Sequence, residues 1–121
     1  MNDSNLNSSC DVVRQCSFDL HSYLKRGHVE KVYENGLKHR LEKAGLSVQQ
    51  QAPLPVSDEY GFLLGDFYAD LLVSERIVVE LKACGSAVDE HVAQLLGYMR
   101  SSRRRIGLLI NFGAPKLYIK R

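Results

Sequence analysis

Apolar positions recur at helical spacing over the first third of the chain and at strand spacing through its middle. Val12, Val13, Cys16, Leu20 and Leu24 lie roughly in helical register, which predicts a helix from about Ser9 to Lys25, broken at Gly27. A second helix is expected from about His28 to Ala44, closed by Gly45 as a C-terminal cap. Val48 to Val56 reads as an extended segment, and Pro53 and Pro55 confine it to a sheet edge or a bulge. Tyr60 to Leu64 and Phe67 to Val73 form the next extended stretches, with Gly61 and Gly65 marking turns. Ser74-Glu75-Arg76 suits a tight antiparallel turn into the β-branched strand Ile77 to Lys82. A third helix spans about Ala87 to Ser101, Ile106 to Phe112 is an apolar strand, and Leu117 to Ile119 is a short final one. The order α-α-β-β-β-α-β-β predicts an α/β fold, a mixed sheet with helices packed against it. Residues 1–8 read as a flexible polar start and residues 9–121 as one domain.

Composition narrows the class. The chain has 121 residues, of which 45% are hydrophobic and 25% charged, as expected of a globular domain with one core. The formal net charge of +2 is too small to prove a nucleic-acid partner. The clustering of basic residues says more: Lys25-Arg26, Arg100 to Arg105, and Lys116 to Arg121. The run Arg103-Arg104-Arg105 fits a solvated turn or a phosphate-binding rim equally well. No apolar stretch near the start could serve as a signal peptide or a membrane span. Cys10, Cys16 and Cys84 make an odd count without CxxC spacing, against both a disulfide framework and a zinc or iron–sulfur site. The expectation is a reduced, cytoplasmic protein.

Polar residues then stand out against the elements that carry them. Alternation puts Ile77, Val79 and Leu81 on one face of their strand and Val78, Glu80 and Lys82 on the other. A carboxylate and an ammonium on a strand otherwise built for burial are costly without partners or a task. Asp70 lies on the preceding strand, so two carboxylates and a lysine converge on paired strands, a set able to hold a hard divalent metal at a phosphate. In the second helix Tyr33, Leu37, Leu41 and Ala44 fall within about 60° of Glu30, which places Glu30 on the apolar stripe. An acid there either complements the helix dipole or wants a cation. On the third helix Val88, Val92, Leu95, Leu96 and Met99 make the apolar stripe, and His91, Gln94 and Tyr98 flank it. Gln94 and Tyr98, four apart, are surface neighbours that can hold one phosphate or simply form a helix rim.

Together these residues resemble a known pattern. Gly27-His28-Val29-Glu30-Lys31-Val32-Tyr33 is similar to the signature of the small bacterial GxxExxY family, within the PD-(D/E)XK nuclease superfamily. The resemblance continues through Gln51-Ala52-Pro53-Leu54-Pro55-Val56, Ala69-Asp70-Leu71-Leu72-Val73, Val79-Glu80-Leu81-Lys82-Ala83, His91 to Tyr98 and Gly107 to Gly113. It covers nearly the whole chain from about Val12. It implies a restriction-endonuclease-like core, α-β-β-β-α-β, with an extra N-terminal helix. By resemblance Glu30 is the helix-borne acid, Asp70 and Glu80 are metal ligands, and Lys82 is the lysine of the (D/E)XK motif. Gln94 and Tyr98 match the QxxxY element of RecB-like members, which borders metal and substrate. The motif's usual proline is Ala69 here, and the cysteines do not supply the iron–sulfur cluster of some RecB-like relatives.

The implied activity is metal-dependent hydrolysis of phosphodiester bonds in nucleic acid, with DNA the expected substrate. Asp70, Glu80, Glu30 and the Leu81 carbonyl are the expected ligands of Mg²⁺, with Mn²⁺ as a substitute. Glu30, Asp70, Glu80 and Lys82 form the catalytic set and Gln94 and Tyr98 the substrate contacts. A homodimer is compatible with this size. The alternatives are a silent nuclease-fold module that binds nucleic acid or a protein partner, and a structural domain in which Glu80 and Lys82 pair with each other.

Overall fold

A computed structural model describes the chain over residues 3–85, 89–101 and 106–121. Ala87 and Val88 of the expected third helix, and the Arg103–Arg105 run, lie outside the described residues. The elements are α1 (Asp3–Leu24), α2 (Glu30–Lys43), β1 (Val48–Ser57), β2 (Leu63–Val73), β3 (Ile77–Lys82), α3 (Asp89–Ser101), β4 (Ile106–Asn111) and β5 (Tyr118–Lys120). They make one five-stranded sheet in the order β1-β2-β3-β4-β5. β1, β2 and β3 are antiparallel neighbours, β4 runs parallel to β3, and β5 is antiparallel to β4. A parallel step needs a crossover, and α3 supplies it between β3 and β4. This is the expected mixed sheet flanked by helices.

The core has two parts, one on each face of the sheet. Leu6, Cys10, Val13 and Leu20 of α1 and Tyr33, Leu37 and Leu41 of α2 pack with Leu71, Val73, Ile77, Val79, Leu81, Leu108 and Ile110. On the opposite face Leu95 and Tyr98 of α3 pack with Ala52, Leu54, Ala69, Leu72, Val78 and Leu109. The alternation expected of β3 is therefore observed: 77, 79 and 81 face α1 and α2, and 78 faces α3.

Two boundaries differ from expectation. Helix α1 begins at Asp3, so most of the N-terminal segment expected to be flexible is helical. Leu6 and Cys10 extend the Val13–Leu20 stripe at helical spacing, and burying them carries the helix back. Its other end, at Leu24, lies within a residue of the expected one: Lys25 adopts a left-handed conformation (φ 61°) and its N–H caps the His21 carbonyl, closing the helix before Gly27. Gly65 makes no turn; it pairs with Val56 inside β2. The reversal lies earlier, where Asp58 Oδ1 accepts the N–H groups of Tyr60 and Phe62 at 2.9 Å each and Gly61 has φ 80°. The proline-bearing β1 is an edge strand, with both prolines exposed.

Among the described residues no helix is long and apolar enough to cross a membrane. The three cysteines are free, and burial raises the thiol pKa of Cys10 and Cys16.

Candidate functional site

The β2–β3 ladder pairs Val73 with Ile77, Leu72 with Val78 and Leu71 with Val79, and stops there. Beyond that level β2 stays paired with β1, and β3 stays paired with β4, so the sheet forks. Asp70 and Glu80 are the first residues past the last pair. The Asp70 N–H donates to Glu80 Oε1 at 3.1 Å, and the Leu81 N–H donates to Asp70 Oδ2 at 2.8 Å. Two carboxylates thus accept what ladder carbonyls would have accepted, which satisfies the opened backbone and fixes both acids at the fork.

Bringing these acids together has an electrostatic cost. The Glu80 carboxyl is pushed up to about 7, first by burial and then by the negative charge of Asp70. The hydrogen bond from the Asp70 N–H and the positive charge of Lys82 offset part of this, and Glu30 adds a smaller upward push. Lys82 is half-buried; among the described residues no ion pair joins it to Glu80, and the ion pairs are Lys31–Glu34 and Lys38–Glu42. Among those residues Glu80 sits between two negative charges and one positive one, with no direct cationic partner.

Glu30 is the first residue of α2 and is exposed, which corrects the expectation of a buried stripe position. Val29, Lys31 and Val32 are exposed too, so the first turn lies beyond the buried run Tyr33, Leu37 and Leu41. The buried acid of α2 is Glu34, 4% exposed. It lies only about 20° from Leu41 on a helical wheel, so the sequence carried that signal. Glu30 is nonetheless near enough to Glu80 to act on its charge. Its place is set by the loop before it. Gly27 has φ 113°, and Tyr33 beneath donates its hydroxyl to the Lys25 carbonyl while stacking on Phe112, ring centroids 4.6 Å apart.

The remaining expected residues divide. Leu81 buries its side chain while its N–H holds Asp70. Tyr98 is buried and stacks on Phe67 at 4.4 Å, three residues before Asp70 on β2. The side chains of Gln94 and His91 lie outside the described residues.

Other residues at the site carry no individual signal in sequence. Gln51 donates to Asp70 Oδ1 at 3.2 Å and to Glu34 Oε1 at 3.0 Å. Asn111, buried, accepts from Cys84 N at 3.1 Å and Gly113 N at 2.9 Å and donates to Cys84 O at 2.9 Å. With Phe112 N donating to Lys82 O at 2.9 Å, the backbone just after Lys82 is clamped.

The donor set suits a hard cation. Among the described residues no three Asp, Glu, His or Cys side chains close around a common point. Two carboxylates at a fork, one of them destabilised by the other, are the partial oxygen set that an ion retaining several waters, such as magnesium, accepts.

The family model of the PD-(D/E)XK nuclease superfamily matches residues 7–121. No curated protein and no solved structure matched the chain. The matched span takes in every strand of the forked sheet and both acids at its opening, and the chain belongs to the PD-(D/E)XK nuclease superfamily.

Proposed function

We propose that this chain is a divalent-metal-dependent nuclease that hydrolyses phosphodiester bonds, with DNA as substrate, and that it is of the GxxExxY type. The observation that carries the reading is the exchange of hydrogen bonds at the fork, Asp70 N–H to Glu80 and Leu81 N–H to Asp70, with Lys82 and Glu30 acting on the same carboxylate. Superfamily membership supports a nucleic-acid substrate.

Asp70 and Glu80 would hold Mg²⁺ or Mn²⁺, with the Leu81 carbonyl completing the protein's share of ligands and Glu30 reaching the ion through water. Such an ion, when bound, polarises the scissile phosphate and lowers the pKa of an attacking water. Lys82, on the same strand face as Glu80, positions that water and offsets charge developing on the phosphate. Gln94 and Tyr98, the QxxxY pair, border the substrate, with the Tyr98 ring held on Phe67. Exposed Lys25, Arg26 and His28, next to Glu30, suit the backbone of the nucleic acid.

One observation favours a second reading, a module that binds a partner without cutting. The end of the β1–β2 hairpin exposes Tyr60 (87%), Phe62 (68%), Leu63 (58%) and Leu64 (64%), an apolar surface of the kind that marks contact sites. Incubating the protein with single- and double-stranded DNA and RNA, with Mg²⁺, with Mn²⁺ and with chelator, separates the two. Chelator-sensitive cleavage supports the nuclease, and binding without cleavage under every condition supports the module.

A further inference from the structure

Gln51 adopts a left-handed conformation, φ 49°, inside a β-strand. A non-glycine residue held there is strained, so the surrounding structure must impose it. Its neighbours show what the conformation achieves. Val48 packs against the cluster under α1 and α2 and Gln50 bonds to Glu34 of α2, whereas Ala52 and Leu54 belong to the cluster under α3. Regular alternation would put all four on one face, so β1 turns over at Gln51. β2 turns over at the same level: Leu71 and Val73 face α1 and α2, Ala69 faces α3, and Asp70 lies at the change.

A carboxamide nitrogen carries two hydrogens. That of Gln51 lies 3.0 Å from Glu34 Oε1 and 3.2 Å from Asp70 Oδ1, one hydrogen for each acid. Glu34 is a fixed anchor, since its Oε2 accepts from Lys31 at 2.8 Å and from Gln50 at 2.7 Å. Asp70 is thereby held from two sides, by Gln51 at Oδ1 and by the Leu81 N–H at Oδ2. A neutral donor matters here: a lysine or arginine at position 51 would orient Asp70 but also neutralise it, weakening its draw on a cation.

We infer that Gln51 is a positioning residue for Asp70, anchored on Glu34, and that the left-handed turn of β1 exists to aim its amide at that carboxylate. The inference rests on the nuclease reading in so far as a divalent ion is what Asp70 would hold. Partners of ligating carboxylates typically cost 10- to 100-fold in metal affinity when lost.

Gln51→Gly tests it, because glycine accepts the left-handed backbone while removing the amide. A role confined to the backbone predicts no loss, and a positioning role predicts a clear one. The expected results are a folded protein, Mn²⁺ affinity by calorimetry lowered about 10- to 100-fold, and faster metal-free hydrogen exchange at the Leu81 amide but not at Val79. Glu34→Gln, which weakens the anchor without touching Asp70, carries the same readouts if the glycine variant does not fold. It lowers Mn²⁺ affinity by a smaller factor alone and adds nothing on top of Gln51→Gly. Wild-type Mn²⁺ affinity and Leu81 exchange in Gln51→Gly overturn the inference, while loss of Mn²⁺ binding in Asp70→Asn leaves the nuclease reading standing. A wild-type chain that binds no Mn²⁺ overturns the nuclease reading instead, and Leu81 exchange then decides the positioning role by itself.

Discussion

The backbone N–H of Asp70 donates to the side chain of Glu80 at 3.1 Å, so a carboxylate closes the β2–β3 ladder where a carbonyl would otherwise stand. The bond aims Glu80 into the fork and sets it against the Asp70 charge. The chemistry expected of the site follows from that pairing.

Glu80→Gln should stabilise the metal-free protein above neutral pH and change little at pH 4. The folded pKa of about 7 lies above the ordinary 4.5, so the folded chain holds an extra proton between those values. Stability therefore falls as pH rises through that window, with no penalty below it and the full penalty above. The shift corresponds to about 3 kcal/mol at pH 8. Urea unfolding in chelator at pH 4, 6 and 8 measures it, and equal effects at all three would contradict the placement of Glu80.

Metal binding should release protons. At pH 6.5 a group titrating near 7 is mostly protonated, and a cation that ligates Glu80 displaces roughly 0.8 of a proton. Calorimetry of Mn²⁺ binding in buffers of differing ionisation enthalpy reads the number directly. By pH 8.5 the release should be nearly gone and the affinity higher.

Asp70→Asn and Lys82→Ala should each lower cleavage about 100-fold or more while the chain stays folded. Asparagine keeps an oxygen that can accept the Leu81 N–H, so the backbone at the fork survives. Cleavage rates beside circular dichroism melting curves test both halves, and full activity in both variants would sink the assignment of the site.

Gly113→Ala should destabilise the fold by at least about 2 kcal/mol and lower activity as well. A Cβ at position 113 would lie 2.3 Å from Cys84 N, 2.4 Å from Ala83 C and 2.5 Å from Cys84 O. These are backbone atoms that cannot swing away, and Lys82 stands just before them. Denaturant titration gives the stability, and assays well below the transition isolate the loss of activity.

Much of the fold was legible along the chain because local pattern and tertiary role agree. Ile77 to Lys82 alternates between two faces, Pro53 and Pro55 mark an edge, and the order of helices and strands read from the pattern is the observed one. Asp70, Glu80 and Lys82 could be picked out for a related reason: charges are conspicuous on strands otherwise rich in Val, Leu and Ile. The extent of α1 was harder to read, since Leu6 is a lone apolar residue in a polar stretch until α1 and the sheet bury it.

The sequence by itself determined the order of elements, most of the apolar stripes and the place of Asp70 and Glu80 on strands, because those depend on neighbours a few residues away. Only the tertiary structure decided which acids meet. A wheel places Glu30 and Glu34 on much the same side of α2, yet one is exposed and the other 4% exposed, because β1 brings Gln50 and Gln51 against Glu34. Gln51 reads as one of three consecutive glutamines, and its link from Glu34 to Asp70 spans elements 17 and 19 residues away. The rise of Glu80 to about 7 belongs to the same class, since it needs burial in the folded chain and Asp70 brought across from another strand.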